Sequence, residues 1–255
     1  MRLRGARILI SNDDGINATG LKVAEKIAKS LSDDVWVVAP ESEHSAASHS
    51  LTITLPLRVR KISARKFAVN GTPTDSVLLA VQHIIPGKRP DLVLSGVNAG
   101  GNIGEDITYS GTVAAAMEGA LLGIKSIAMS QARIYGENVR WAAAERHGPI
   151  IIRKLMRENW PKNVLMNVNF PDVPAAKVGP VEITVQGRRK IGNAVNTGQD
   201  PRGCDYVWIG TERREDPLIR GSDLKAVNEG RISITPLCLD QTHRPTIRSL
   251  RKAFE

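Results

Sequence analysis

The sequence predicts an α/β fold, a parallel sheet with helices on both faces. Three observations carry this reading. Short, almost wholly apolar runs read as buried strands. Segments with apolar residues at helical spacing lie between them. Short connections join the two in alternation.

The elements follow in order. Ala6-Arg7-Ile8-Leu9-Ile10 is a first buried strand, and Leu21, Val23, Ala24, Ile27, Ala28 and Leu31 mark the helix after it. Residues 34–39 form a second buried strand, closed by Pro40 and followed by a polar stretch over 41–50. Residues 51–53, 57–62 and 66–69 suggest short strands, with a hairpin among them. Asn70-Gly71-Thr72-Pro73 is a turn that opens a helix over 75–85, with Thr72 as N-cap and Pro73 at its first position. Pro86-Gly87 stops it. Residues 91–95 are a third buried strand, 111–122 a helix, 126–129 a fourth strand and 139–159 a longer amphipathic helix. Strands over 164–169 and 181–186 follow. A Gly-, Asn- and charge-rich stretch over 188–203, with a strand-like run over 205–210, reads as an extended arm with little core of its own. Such an arm often packs on another subunit. A short helix (223–228), a strand (231–235) and a terminal helix (246–253) complete the chain.

No internal repeat, low-complexity tract or linker divides the 255 residues. They read as one domain, with a core over about 1–186 and an arm plus C-terminal elements over about 187–255. A hydrophobic content of 42% fills a core, yet no run approaches the ~18 apolar residues of a membrane span. The basic start Met1-Arg2-Leu3-Arg4-Gly5-Ala6-Arg7 lacks the apolar region of a signal peptide. Cys204 and Cys238 form no C-x-x-C pair, so the expectation is a cytoplasmic protein without disulfides.

The net charge of +9 invites a nucleic-acid reading. The charge is scattered, however, and aromatic residues make up only 4% of the chain, which argues against a stacking platform for single strands. The basicity reads as a general attraction for phosphates.

Ser11-Asn12-Asp13-Asp14-Gly15 sets two adjacent carboxylates where the first strand ends. In an open α/β sheet the C-terminal strand ends are where ligands sit. Paired carboxylates repel unless protons or a cation offset them, and a hard divalent ion is the usual partner. Asn-Asp-Asp-Gly is also ordinary turn chemistry. Residues 95–104 carry four glycines after the third strand, a loop whose exposed N–H groups suit a phosphate. Ala99 breaks the dinucleotide fingerprint, and no Gly-Lys-Ser/Thr follows to make a Walker loop. Ser110, Gly111 and Thr112 open a helix of small residues, an N-terminus that favours an anion or simply a cap. Ser42 or Ser45 could add an oxygen to a metal site, and His44 or His49 could move protons. His83, His147 and His243 read as structural or exposed. Three strand ends thus converge on one sheet edge.

In combination these pieces resemble the SurE family of stationary-phase survival proteins. The residues that carry the resemblance are Ile10-Ser11-Asn12-Asp13-Asp14-Gly15, Val38-Ala39-Pro40 followed by Ser45, Asn70-Gly71-Thr72-Pro73-Thr74-Asp75, and residues 95–100 through Tyr109-Ser110-Gly111-Thr112. The resemblance spans nearly the whole chain in order. It implies a Rossmann-like core and dimers or tetramers built through C-terminal elements. It implies a metal-dependent 5′/3′-nucleotidase acting on nucleoside monophosphates, with some members acting on short polyphosphate. It further implies one magnesium or manganese ion per subunit on Asp13, Asp14, Ser45 and Asn98. Asn12, Gly71, Thr72, Ser110, Gly111 and Thr112 fall where the family lines its phosphate pocket, and Asp13 and Asp14 are the expected catalytic residues. A basic residue is common just before the ligand serine; here it is His44. The competing expectation is a non-catalytic nucleotide- or nucleic-acid-binding protein, with metal-independent binding and a steep salt dependence.

Overall fold

The computed structural model describes residues 3, 5–191, 194–210, 213–215 and 219–255. Met1, Arg2 and Arg4 of the basic start, and residues 192 and 193 of the expected arm, lie outside these.

In chain order the elements are β1 (Arg7–Ser11), α1 (Thr19–Leu31), β2 (Asp34–Pro40), β3 (Val59–Ser63), β4 (Lys66–Val69) and α2 (Pro73–Leu79). A π-helical turn (Ala80–Ile84) continues α2. Then come β5 (Leu92–Ala99), α3 (Asp106–Tyr109), α4 (Gly111–Leu121), β6 (Lys125–Gln131), α5 (Ala142–Leu155) and β7 (Val164–Phe170). The C-terminal part holds β8 (Val181–Ile183), β9 (Arg189–Ile191), β10 (Val195–Gln199), β11 (Asp205–Ile209), β12 (Arg213–Glu215), α6 (Asp223–Asn228), β13 (Ile232–Cys238) and α7 (Arg244–Ala253).

The main sheet has the order β3-β4-β2-β1-β5-β6-β7-β13-β8. From β4 to β7 every pair is parallel; β3 runs antiparallel to β4, and β13 antiparallel to β7. The expected α/β architecture is present, with antiparallel pairs toward both edges. The apolar runs arise because both faces are covered. In β1, Ile8 and Ile10 face the core built with α1 and α5, while Leu9 faces the other core, with Val77 of α2 and Ala115 of α4. Leu21 of α1 is fully buried in the first of these, so truncation to Ala there would cost about 2–5 kcal/mol.

Thr72 caps α2 as expected. Its hydroxyl accepts from Asp75 N–H, while Asp75 Oδ2 accepts from Thr72 N–H. The helix expected over 75–85 widens after Leu79 into the π turn, where Ile85 N–H reaches Ala80 O at 2.9 Å. Residues 51–53 are not a strand: Thr52 N–H donates to Asp75 Oδ1 at 2.9 Å, and Leu51 and Ile53 stay exposed. A side-chain acceptor has taken the donor that a ladder would need.

The arm forms two antiparallel ribbons, β10–β11 and β9–β12. Val195, Val207, Trp208 and Ile209 on it are exposed. The chain then returns, and β13 enters the main sheet between β7 and β8.

Candidate active site

Asp13 and Asp14 leave β1 at its C-terminal end, in the turn that joins it to α1. Three contacts shape this turn. Ile16 N–H donates to Pro40 O at the end of β2 (2.8 Å), His44 N–H donates to Asp13 O (2.8 Å), and Asn12 Nδ2 donates to Gly15 O (3.0 Å). Gly15 holds φ +95°, a region closed to most side chains.

Asp13 is only 5% exposed, and its Oδ1 accepts from the Thr112 hydroxyl at 2.5 Å. Burial pushes its carboxyl well above the ordinary range, against the pull of Thr112. The Asp14 carboxyl is pushed up to about 6, first by burial and then by the charge of Asp13. The Ala99 N–H bonded to it and the charge of Arg133 act the other way. Asp14 Oδ2 and Asn12 Oδ1 are buried with no hydrogen-bond partner among the described residues. Buried polar atoms are normally paired, so these two mark a place built to receive a donor or a cation.

The two carboxylates lie in a cleft of about 640 Å³. Ser45, Asn98 and Ser110 also line it. Asn98 Nδ2 donates to Gly100 O at 2.9 Å, which leaves its Oδ1 for a ligand. Ser45 Oγ donates to Glu43 Oε1 at 2.6 Å and keeps its lone pairs. The segment that carries Ser45 is held out of relaxed geometry, with Ala46 at φ 60° and Ser48 at φ 52°. Ser48 N–H and Oγ fasten it to Tyr109 O (3.2 Å) and Thr108 O (2.9 Å) of α3.

Ser110 caps α4, its Oγ accepting from Val113 N–H at 3.0 Å. A Cβ on Gly111 would stand 2.7 Å from Asp13 Cβ, so only glycine lets the helix start this close to the acid pair. Thr112 is fully buried behind Asp13. Five of the expected site residues (Asp13, Asp14, Ser45, Asn98 and Ser110) therefore share the cleft wall, and Asn12, Gly111 and Thr112 stand directly behind it. Gly71 and Thr72 are not on that wall. Thr72 Oγ1 donates to Ser50 O at 2.8 Å, and a Cβ on Gly71 would meet Leu57 and Asp75. His44 supplies a backbone contact to Asp13. His49 pairs with Glu118 (3.0 Å) at a second cavity, which Thr184 and Thr235 also line.

Sequence reasoning gave no role to Glu43, Asp106, Tyr109, Arg133, Tyr135 or Arg189, all of which line the cleft. Arg189 is pinned there by Asp106 (3.2 Å) and Glu215 (3.4 Å). Arg133 and Tyr135 follow the end of β6, and the strand-end rule that found Asp13 could have flagged them.

Among the described residues no three His, Cys, Asp or Glu side chains form a metal-type cluster. The cleft instead offers two carboxylates, a hydroxyl and an amide oxygen. That all-oxygen set, with its unpartnered buried oxygens, fits a hard divalent cation.

The sequence model described as "Survival protein SurE" matches residues 8–193. A protein named 5′-nucleotidase SurE from Paramagnetospirillum magneticum is 62% identical over 248 residues, covering 97% of this chain and 95% of that one. Its namesake from Rhodospirillum rubrum is 51% identical over 255 residues, covering 99% and 97%. The crystal structure of the SurE protein from Aquifex aeolicus superposes with a TM-score of 0.85 at 39% identity, covering 98% of this chain and 100% of that one. The chain belongs to the survival protein SurE family.

Proposed function

We propose that this chain is a metal-dependent phosphomonoester hydrolase, a 5′-nucleotidase that releases phosphate from nucleoside monophosphates. The observation that carries the reading is the buried Asp13–Asp14 pair, with its unpartnered Asp14 oxygen, lining a cleft beside a helix N-terminus. The name 5′-nucleotidase SurE on relatives with this degree of identity supports it.

Asp13, Asp14, Ser45 and Asn98 would hold one magnesium or manganese ion per subunit. Bound there, such an ion supplies Lewis-acid polarisation of the phosphoryl group and a lowered pKa for water. Asp13, locked by Thr112, fixes the geometry. Asp14, less buried and with an oxygen to spare, accepts a proton from the attacking water. Ser110, on the cleft wall at the N-terminus of α4, faces the phosphate where the helix dipole favours an anion, while Asn12, Gly111 and Thr112 support the wall from behind. Gly71 and Thr72 act at one remove, positioning the 41–50 segment through Ser50.

The substrate range takes in 5′- and 3′-monophosphates and short polyphosphate. The whole of 1–255 is taken as one domain, with its core over about 1–186. The exposed apolar residues of β10 and β11 suit contact with another copy, in a homodimer or homotetramer. Among the described residues no helix is long and apolar enough to cross a membrane. A cytoplasmic location accords with the exposed free thiols of Cys204 and Cys238.

The test is phosphate release from AMP and GMP. Asp13→Asn should abolish turnover in a protein that still folds, and excess chelator should silence the unaltered enzyme. Unchanged release in either case defeats the scheme. Metal-independent nucleotide binding with a steep salt slope and no release would instead mark a binding protein.

A further inference from the structure

Asp13 and Asp14 make up only part of the cleft lining. About 640 Å³ is the size of pocket that takes a whole small molecule, well beyond a single phosphate. Two of the chain's three tyrosines line it, Tyr109 at 41% and Tyr135 at 89% exposed. Exposed aromatic rings in a cleft offer flat apolar faces to a ligand. Of the two lining arginines, Arg189 is held by Asp106 and Glu215. Arg133 has no ion-pair partner among the described residues, and its charge reaches Asp14.

The loop that bears Arg133 and Tyr135 is fastened to the end of β7. Gln131 Nε2 donates to Pro171 O (2.9 Å), Ala132 N–H to Phe170 O (2.8 Å) and Ile134 N–H to Asp172 Oδ2 (3.1 Å). Residues 132 and 134 thus turn their N–H groups to β7, while 133 and 135 line the cleft. The backbone fixes where the two side chains start.

Resting on the nucleotidase reading, we infer that Arg133 and Tyr135 form the substrate-selecting wall of this cleft, the guanidinium pairing with the phosphate and the phenol ring stacking on the nucleobase. Arginine suits a phosphate because its planar fork donates two parallel hydrogen bonds. A stacked ring suits any base, so this wall separates nucleotides from sugar phosphates rather than one base from another.

The experiment compares kcat and KM for AMP and ribose 5-phosphate in the full chain with manganese present. Tyr135→Ala should raise KM for AMP about tenfold with little change in kcat, a step within the range seen for lost base stacking. The preference for AMP over ribose 5-phosphate should fall by the same factor, and Tyr135→Phe should restore it. Arg133→Gln should lower kcat/KM for both substrates by a similar factor, at least tenfold. Equal loss on both substrates in Tyr135→Ala, or no loss in Arg133→Gln, overturns the inference while the hydrolase reading stands. Calorimetric titration covers the opposite case. A chain that binds AMP more tightly than ribose 5-phosphate, by a margin lost in Tyr135→Ala, yet releases no phosphate, upholds this wall and refutes the hydrolase.

Discussion

Asp14→Asn should make the metal-free protein more stable at pH 8 while it destroys activity. Burial, and then the neighbouring charge of Asp13, raise the Asp14 carboxyl from 3.8 to about 6. The fold therefore favours the protonated form. Below about pH 4 both folded and unfolded chains carry the proton, and the group costs nothing. Between 4 and 6 the unfolded chain ionises first, so stability falls as pH rises; above 6 the full penalty is present. Each tenfold change in acidity is worth about 1.4 kcal/mol, which makes the penalty about 3 kcal/mol. Asparagine is neutral at every pH and keeps an oxygen to accept the Ala99 N–H. In a chain of this size 1 kcal/mol moves the melting point by about 2–4 °C. Melting followed by circular dichroism in chelator, at fixed protein concentration, should place the variant about 6–12 °C above the unaltered protein at pH 8, with a much smaller gap at pH 4. A divalent ion at a hundred times its Kd should return about 2.7 kcal/mol to the unaltered protein and little to the variant. If Asp14→Asn melts lower at pH 8, or its advantage does not grow between pH 4 and 8, the acid pair is not a strained cation site and the reasoning fails.

Gly111→Ala should cost at least a hundredfold in kcat/KM, because the new Cβ, 2.7 Å from Asp13 Cβ, must push the carboxylate out of place; steady-state kinetics on AMP read it. Thr112→Val removes the hydroxyl donated to Asp13, so urea unfolding of the metal-free protein should show a loss of about 1–3 kcal/mol. Asp223→Ala should leave the N–H groups of Gly104 and Gly187, now bonded to its carboxylate at 2.9 and 2.8 Å, without partners. Hydrogen exchange at those two amides should quicken while amides of β1 stay protected.

What the sequence made legible was what repeats or punctuates. Ile8, Leu9 and Ile10 announce a strand because both faces of the sheet are buried, and the two acids stand out because they follow it directly. Strand ends made of polar residues were harder to see. The fourth strand was expected to stop at Met129, yet β6 runs on through Ser130 and Gln131, both fully buried. Hydropathy cannot register them, since what keeps them inside is hydrogen bonding: Ser130 Oγ accepts from Asn102 Nδ2 (2.8 Å), and Gln131 reaches Pro171 O. Ending the strand early hid the residues just past it. Arg133 and Tyr135 have no periodicity of their own, and they matter only because the sheet order sets β6 beside β5. That order, like the return of β13 between β7 and β8, comes from contacts distant in sequence.

The glycine-rich loop after β5 shows how composition and tertiary contact divide the work. Glycines permit the backbone to pass close to a ligand, but they also loosen it, and a loose loop stabilises a transition state poorly. Here Asn102 is the anchor. Its N–H donates to Asn169 Oδ1 (2.9 Å), its Nδ2 to Ser130, and its carbonyl accepts from Asn167 Nδ2 (2.8 Å) and Asn169 Nδ2 (3.1 Å). Two residues on, Gly104 N–H is held by Asp223 at the start of α6. Ile103 between them packs on Leu224 and Val227. The loop is thus fixed from β6, β7 and α6 at once, and its freedom is confined to the glycines nearest the cleft. The same Asp223 carboxylate holds Gly187 at the root of the arm, two residues before Arg189 enters the cleft wall. Any partner that grips the arm therefore pulls on a segment bonded, through one side chain, to the loop that faces the substrate.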